Sequence, residues 1–250
     1  MIELTGITAG YGSHLVLKNL SASFEKGSLT SIIGVNGCGK STLLKTILGI
    51  VPITCGEITI DAANLSSMNR KAIAQKAAYL SQEKSTPDMT VEQMVLHGRF
   101  PYLGYPRRYT SQDREIVRMA MEQVGISAFA GKLLPTLSGG MRQNAYIAMA
   151  LAQSTDYILL DEPTTFLDIA HQLTLMKTLR NLADSGKGVI AVMHDLPMAF
   201  AFSDRILLVH DGQAACCEKP EDLCRQGMIE DIFGVKIVPA EDGQSYHYQL

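Results

Sequence analysis

The chain has 250 residues, of which 46% are hydrophobic and 19% charged, and this composition indicates an ordinary globular protein with one large domain or two small ones. Its net charge of −3 disfavours nucleic acid as a partner, and its longest apolar runs are too short to span a bilayer. The five cysteines follow neither a disulfide framework nor a zinc-site spacing, and the N-terminal residues lack a signal-peptide pattern, so we expect a cytosolic protein with reduced thiols.

Residues 1–60 predict a β-rich segment that is interrupted by one helix. Turns are predicted at 5–12 and 24–27, and a strand at 56–60. The apolar run 29–33 leads into a glycine-rich turn, after which the sequence becomes helix-prone. This succession of strand, glycine-rich turn and helix is the context that a phosphate-binding loop requires.

The glycine-rich turn, Gly34–Thr42, has the composition and spacing of a phosphate-binding loop. Its glycines allow backbone N–H groups to converge on an anion, and the following helix adds the positive end of its dipole. Lys40 would reach the β- and γ-phosphates, and the hydroxyl of Ser41 would hold Mg²⁺. The alternatives are a turn that binds nothing and a dinucleotide fold, which fits poorly because a third glycine is missing. The loop therefore predicts a nucleoside triphosphate site.

Residues 91–151 have a helical pattern, with predicted helices at 91–97, 111–124 and 139–152. In the middle helix we place the N-terminus at Ser111, which lacks the acid three residues later that would complete a capping box. Asp113 and Glu115 lie in the first turn, where the helix dipole favours negative charge.

Strands and helices alternate from residue 157 onward, which predicts βαβ units and a parallel sheet. The predicted strands are 157–160, 188–193 and 206–210, and the predicted helices are 169–182 and 196–202. Asp211-Gly212 after the last strand predicts a hairpin turn.

Three polar residues at predicted strand ends complete the site. Asp161 and Glu162 follow a buried apolar strand, and His194 follows another. Because the carboxyl ends of parallel strands face the ligand crevice, Asp161 would bind Mg²⁺ through its water shell and Glu162 would orient or deprotonate the attacking water. The alternatives are a pair of solvated acids and a structural histidine. The presence of the Lys40 loop in the same chain favours the functional assignment.

The segment Leu137–Gln143 closely resembles the signature motif of ABC-type ATPases, in which Ser138, Gly139 and Gly140 open a helix. A hydroxyl together with helix N-terminal amides provides a second anion site. The resemblance covers essentially the whole chain and implies a head-to-tail homodimer, in which each ATP lies between one subunit's loop and its partner's signature motif.

The same resemblance implies an α/β fold, with a P-loop NTPase (RecA-like) core, an N-terminal antiparallel β subdomain and an inserted α-helical subdomain. Residues 1–82 and 153–250 would form the core with the β subdomain, and residues 83–152 the helical subdomain with the signature motif.

The resemblance also implies a role for each motif residue. Tyr11 resembles the aromatic residue that stacks on adenine, Gln82 the Q-loop glutamine and His194 the switch histidine. Asp168 resembles the aspartate that couples the two sites of the dimer. The implied ATP-binding residues are Tyr11, Gly34, Asn36, Gly37, Cys38, Gly39, Lys40, Ser41 and Thr42, with Ser138, Gly139 and Gly140 acting in trans. The residues implied at the Mg²⁺ site are Ser41, Gln82 and Asp161, and the implied catalytic residues are Glu162, His194, Gln82 and Lys40.

Two motif positions carry particular expectations. Met141 occupies the fifth signature position, where the family usually has glutamine, so the polar contact of that side chain is in question while the phosphate donors remain. Cys38 places a thiol beside a helix N-terminus, which is expected to lower its pKa. A thiol-alkylating reagent is therefore expected to inhibit ATP hydrolysis, and bound ATP to protect the enzyme.

Residues 97–104 and 162–172 resemble the ATPases of metal-chelate importers. This implies ATP-driven uptake of a ferric siderophore, haem or cobalamin, with membrane permease subunits and an extracytoplasmic solute-binding protein as partners. The location implied is peripheral, on the cytoplasmic face of the membrane. Arg99, Arg107 and Arg108 would contact the membrane subunits, or would form a solvated basic patch.

Other classes of function are disfavoured to different degrees. An ABC transporter for another solute, either a metal ion or an exported compound, is the nearest alternative, because the residues named above contact only ATP. A soluble ABC ATPase acting on nucleic acid or ribosomes is disfavoured by the net charge of −3. A non-hydrolysing ATP-binding regulator is disfavoured by four intact motif residues, Lys40, Asp161, Glu162 and His194.

Overall fold

Two larger β-sheets position the candidate site in the computed structural model, which describes residues 1–82, 86–165, 167–241 and 245–249. The strands are β1 (Ile2–Tyr11), β2 (His14–Phe24), β3 (Leu29–Ile33), β4 (Ile53–Ile60), β5 (Ala63–Asn64), β6 (Ala77–Leu80), β7 (Tyr157–Asp161), β8 (Gly188–Val192), β9 (Arg205–His210), β10 (Gln213–Glu218), β11 (Lys236–Pro239) and β12 (Tyr246–Gln249). The α-helices are α1 (Lys40–Ile47), α2 (Arg70–Lys76), α3 (Val91–Leu96), α4 (Ser111–Gln123), α5 (Gly139–Ala152), α6 (Ile169–Asp184), α7 (Leu196–Phe202), α8 (Pro220–Arg225) and α9 (Met228–Phe233). Short 3₁₀ helices span Leu65–Ser67, His97–Tyr102, Ser127–Phe129 and Leu134–Thr136. No helix in these described ranges combines the length and the apolar character needed to cross a membrane.

The larger sheet has the strand order β10-β9-β3-β8-β7-β6, and its neighbours are parallel except at the β10 edge. Every residue of β3, β7 and β8 is buried. Their sequences are nearly continuous apolar runs, as expected of parallel strands that are covered on both faces. The predicted parallel sheet is therefore confirmed, and Asp211-Gly212 forms the predicted hairpin between β9 and β10.

Two hydrophobic clusters cover the two faces of this sheet. Along β3, Ile33 belongs to the first cluster and Ile32 to the second, because successive side chains of a strand point to opposite faces. The first cluster continues into α3, α4 and α5, whereas the second contains residues of α1 and of the antiparallel sheet. The packing of α1 between the two sheets fixes the position of the glycine-rich loop that precedes it.

The smaller sheet is antiparallel, with the order β2-β1-β4-β5. The predicted turn at residues 5–12 is wrong, because β1 continues to Tyr11. Register shifts between Leu4 and Gly10 absorb the glycines as bulges within a paired strand, and the chain reverses at residues 12–13. The predicted strand at 56–60 is present as the second half of β4.

The helical segment forms as predicted, with α3, α4 and α5 packed against one another. The N-cap of α4 is Thr110 rather than the predicted Ser111, and a capping box is present. The hydroxyl of Thr110 accepts a hydrogen bond from the Asp113 N–H at 3.2 Å, and a carboxylate oxygen of Asp113 accepts one from the Thr110 N–H at 2.9 Å. Aspartate thus fills the position that the usual pattern gives to glutamate or glutamine.

Arg99 belongs to the interior of this helical segment. It is 6% exposed, its Nε donates to Asp113 at 2.9 Å, and its Nη1 donates at 2.8 Å to the backbone carbonyl at the end of α5. Its guanidinium carbon lies 4.0 Å from the centroid of the Tyr102 ring. Both roles predicted for Arg99, a solvated patch and a partner contact, are therefore wrong, whereas Arg107 and Arg108 are exposed.

Candidate active site

The loop between β3 and α1 forms the first part of the site. Gly37 and Gly39 have φ angles of 80° and 109°, which residues with side chains rarely adopt. Gly39 is the N-cap of α1 and supplies no side-chain hydrogen bond, and the first turn of the helix contains no acidic residue. The first N–H groups of α1 therefore receive no acceptor from a cap, and the helix dipole favours an anion beside them. This geometry suits a phosphate group.

Lys40 is buried, and its ammonium group is held within the same loop. Its Nζ donates to the carbonyl of Gly34 at 2.8 Å and to the carbonyl of Val35 at 3.0 Å. These two carbonyls satisfy a charge that burial alone would disfavour. The lysine thereby places a positive charge near the N-terminus of α1.

A cavity of about 370 Å³ opens beside the loop. It is lined by Tyr11, His14, Val16, Asn36, Gly37, Gly39, Lys40, Ser41, Thr42 and Glu162. Tyr11 is 52% exposed at the end of β1, so one aromatic ring is accessible beside the phosphate-binding geometry. The predicted residues Gly34 and Cys38 do not line this cavity, whereas His14, which pairs with Tyr11 across the β1–β2 hairpin, was omitted from the prediction.

The thiol of Cys38 lies in a buried environment. It is 6% exposed and packs in the second hydrophobic cluster, together with residues of α1. Burial raises the pKa of Cys38 and outweighs the opposing effects of the Lys40 ammonium and of backbone hydrogen bonds. The predicted lowering of the pKa is wrong because the thiol lies inside the loop, where a thiolate would be poorly solvated.

Asp161 ends β7, is 3% exposed, and has a partner for each carboxylate oxygen. The hydroxyl of Ser41 donates to Oδ1 at 2.8 Å, and the hydroxyl of Tyr79 donates to Oδ2 at 3.1 Å. Burial and the negative charge of Asp161 raise the pKa of Tyr79, so the phenol stays protonated and acts as the donor. The sequence prediction omitted Tyr79, whose only signal is its place three residues before Gln82.

The Ser41–Asp161 pair has the chemistry that Mg²⁺ prefers. A hydroxyl oxygen and a carboxylate oxygen lie 2.8 Å apart, and hard divalent cations bind oxygen ligands of this kind. The two hydroxyl partners of Asp161 are both neutral, so neither balances the buried negative charge. The residues therefore fit a divalent cation at this position.

Glu162 follows β7, and three side chains orient its carboxylate. His194 Nε2 lies 2.6 Å from Oε1, Gln82 Nε2 donates to Oε2 at 2.6 Å, and the Thr165 hydroxyl donates to Oε2 at 3.2 Å. Because an ionised carboxylate only accepts hydrogen bonds, the histidine nitrogen facing it carries a proton. Gln82, Glu162 and His194 follow the adjacent parallel strands β6, β7 and β8, and this strand order brings them together.

The signature segment begins α5, apart from the cavity that contains Lys40. Ser138 is the N-cap, and its hydroxyl accepts a hydrogen bond from the Met141 N–H at 3.3 Å. Ser138 and Gly139 are exposed and Gly140 is buried, and none of the three is among the residues described as lining that cavity. The Met141 side chain packs against the first hydrophobic cluster, so this position is used for apolar packing.

His171, which the sequence prediction omitted, connects Asp168 to the signature helix. Its Nδ1 lies 2.8 Å from one Asp168 carboxylate oxygen, and its backbone N–H donates to the other at 2.9 Å. These contacts make Asp168 the N-cap of α6, and the backbone and side-chain hydrogen bonds from His171 lower the pKa of Asp168. The His171 ring also packs on Gly140, where an added Cβ would lie 2.3 Å from the ring carbon Cδ2.

Comparison with known proteins identifies a family and a group of relatives. The family model described as ABC transporter matches residues 17–165. The petrobactin import ATP-binding protein FpuD of Bacillus anthracis is 38% identical over 234 residues, which cover 93% of this chain and 86% of the relative. The ferric enterobactin transport ATP-binding protein FepC of Escherichia coli (strain K12) is 38% identical over 238 residues, covering 94% and 88%. The iron(3+)-hydroxamate import ATP-binding protein FhuC of Bacillus subtilis (strain 168) is 40% identical over 205 residues, covering 81% and 76%.

Solved structures show the same fold. A metal-chelate type ABC transporter in an inward-facing conformation superposes with a TM-score of 0.85 at 25% identity, over 99% of this chain and 96% of that chain. The ATP-binding cassette MJ0796, in a dimeric post-hydrolysis state bound to ADP and Pi, superposes with a TM-score of 0.75 at 28% identity, over 88% of this chain and 99% of that chain. The predicted fold class is therefore confirmed.

Proposed function

The chain belongs to the ABC transporter family and is one of its ATPases, and on this premise we propose that it powers an importer for ferric siderophores. The observation that supports ATP hydrolysis as the power source is the convergence of Gln82, Glu162 and His194 beside the Lys40 loop. The siderophore class is supported by relatives at 38–40% identity whose names refer to petrobactin, enterobactin and hydroxamate import.

ATP would lie in the cavity beside the glycine-rich loop. The loop amides and Lys40 would bind its β- and γ-phosphates, and the exposed ring of Tyr11 would stack on adenine. Ser41 and Asp161 would hold Mg²⁺, which supplies neutralisation of the phosphate charge when bound. Gln82 would offer its amide oxygen to the ion, since its amide nitrogen donates to Glu162.

Glu162 would accept the proton of the attacking water. Its carboxylate is 13% exposed and is fixed at both oxygens, by His194 on one and by Gln82 and Thr165 on the other. A base held in one orientation reduces the cost of reaching the in-line geometry of attack. Lys40 would stabilise the charge that develops on the γ-phosphate.

The complete site would require a second copy of the chain. Ser138 and Gly139 are exposed, and they lie outside the cavity that contains Lys40. In a head-to-tail dimer the same residues, together with Gly140, would donate to the γ-phosphate bound by the partner's loop. The His171 ring contacts both Asp168 and Gly140, which suits the proposed role of Asp168 in coupling the two sites.

The remaining partners would be two membrane permease subunits and, through them, an extracytoplasmic solute-binding protein. The division into a core (1–82 and 153–250) and a helical subdomain (83–152) is part of this proposal. On the helical subdomain, Arg107 and Arg108 are exposed, and we assign them to the contact with the permease. This contact would place the chain at the cytoplasmic face of the membrane.

Reconstitution of the chain with its permease and solute-binding protein in liposomes tests the proposal. Ferric siderophore in the outer compartment should stimulate ATP hydrolysis and should accumulate inside, and the Glu162→Gln variant should abolish both effects. Stimulation of hydrolysis by haem or cobalamin, and not by a ferric siderophore, would assign that chelate as the transported solute instead. Failure of every chelate to stimulate hydrolysis would refute the assignment to chelate import.

A further inference from the structure

Tyr79 connects the edge strand β6 to the carboxylate proposed to hold Mg²⁺. It pairs in register with Leu159 of β7, two residues before Asp161, and its hydroxyl reaches Oδ2 of Asp161 at 3.1 Å. The position of this hydroxyl is therefore set by the pairing of two strands, which are more rigid supports than loops.

Each carboxylate oxygen of Asp161 accepts a hydrogen bond from a different hydroxyl, that of Tyr79 or that of Ser41. Ser41 donates to Oδ1 at 2.8 Å, so the contact with Tyr79 at Oδ2 fixes the remaining rotation of the carboxylate group. Asp161 is 3% exposed, so few water molecules could replace a lost phenolic donor. Without the hydroxyl, the carboxylate would be free to turn away from Ser41.

We propose that Tyr79 is a positioning residue, which orients the Asp161 carboxylate so that its Oδ1 and the Ser41 hydroxyl face the same divalent cation. Side chains that hydrogen-bond to a metal ligand orient that ligand, and their loss typically weakens metal binding by about 10- to 100-fold. Tyr79 itself does not bind the metal or the nucleotide. The same edge of the sheet thus supports both carboxylates, Tyr79 acting on Asp161 and Gln82 on Glu162.

The variant Tyr79→Phe removes only the donor. The ring packs against the second hydrophobic cluster and lines a cavity of about 370 Å³ with Ile50, Ile73 and Gln153, and phenylalanine preserves those contacts. The matched control is Tyr102→Phe, because the Tyr102 ring is also partly buried and its hydroxyl donates to the backbone carbonyl of Gln153 at 2.8 Å.

Because Tyr79 acts on the proposed metal site, the inference rests on the proposed function. Binding of Mn²⁺ in place of Mg²⁺ tests the role of Tyr79 without requiring ATP hydrolysis. Mn²⁺ affinity is measured by electron paramagnetic resonance in the presence of a non-hydrolysable ATP analogue, and binding of the analogue alone is measured in EDTA. Tyr79→Phe should raise the dissociation constant for Mn²⁺ about 10-fold, with metal-free binding of the analogue unchanged. Tyr102→Phe should leave the Mn²⁺ affinity unchanged.

An Mn²⁺ affinity for Tyr79→Phe within about twofold of the parent protein would overturn the inference. An equal loss of metal-free nucleotide binding, or an equal effect of Tyr102→Phe, would also overturn it, because either result indicates general damage. A parent protein that binds neither Mn²⁺ nor the analogue would refute the proposed function, and the inference with it.

Discussion

Replacing Arg99 with methionine tests how the helical segment is held together. Methionine keeps an unbranched apolar side chain but leaves the Asp113 carboxylate buried without its ion-pair partner, and the two side chains are only 8% and 9% exposed. Removing one partner of a buried ion pair costs about 3–5 kcal/mol. We expect a loss of this size, which is a large fraction of the roughly 5–15 kcal/mol that stabilises a typical domain.

Urea unfolding followed by far-UV circular dichroism measures this loss of unfolding free energy. Tryptophan fluorescence cannot be used because the sequence contains no tryptophan. The control is Arg118→Met on the exposed face of α4, where Arg118 pairs with Glu115 and Glu122 and is 53% exposed. An exposed pair of this kind contributes about 1 kcal/mol or less. A loss for Arg99→Met no larger than that of Arg118→Met would refute the structural role assigned to Arg99.

The same pair predicts a dependence of stability on pH. Burial alone would raise the pKa of Asp113, but hydrogen bonds from Thr110 and Arg99 lower it below its ordinary value. Because the folded pKa lies below the unfolded one, the contribution is fully present above about pH 4 and is lost as the pH falls through the folded value. Stability of Arg99→Met should therefore decline less steeply on acidification from about pH 5 to pH 3. Parallel curves for parent and variant would contradict this assignment.

Further predictions concern the loop and the signature helix. Iodoacetamide should label the exposed Cys55 well before the buried Cys38, whose pKa is raised, and a Cys55→Ser variant should keep its ATP hydrolysis after treatment. Early labelling of Cys38 with loss of activity, read by mass spectrometry, would overturn this expectation. His171→Ala should lower the cooperativity of hydrolysis with respect to ATP without weakening nucleotide binding to the single subunit, whereas Thr174→Ala, one turn further along the exposed face of α6, should change neither. Gly140→Ala should lower the cooperativity as His171→Ala does, because the added methyl group would displace the His171 ring. The double variant should lose no more cooperativity than either single variant. Additive losses of cooperativity would exclude the contact between Gly140 and the His171 ring as the cause.

The sequence predicted the architecture well because its main signals are local. Continuous apolar runs mark the buried strands of the parallel sheet, and the glycine-rich loop before α1 identifies one end of that sheet. The turn predicted at residues 5–12 is wrong because non-local strand pairing decides the structure there. Glycines there predicted a chain reversal, but pairing of β1 with two neighbouring strands accommodates them as bulges.

The candidate site was predictable where a motif names the residue, and was not where only the fold brings side chains together. Tyr79 and Thr165 carry no motif, and their contacts with Asp161 and Glu162 depend on strand order and on the turn after β7. Cys38 illustrates a second limit. Its position beside a helix N-terminus is visible in the sequence, but the burial that reverses the expected pKa shift depends on tertiary packing.

Replacing Glu162 with glutamine tests most directly whether this residue is the base of ATP hydrolysis. The variant keeps the size of the side chain but cannot accept the proton, so hydrolysis should fall by at least about 100-fold while ATP binding persists. Gel filtration with Mg²⁺ and ATP should then show an accumulated dimer, and Glu25→Gln, at an exposed residue outside the cavity, should behave like the parent protein. Turnover by Glu162→Gln at the parental rate would contradict the account.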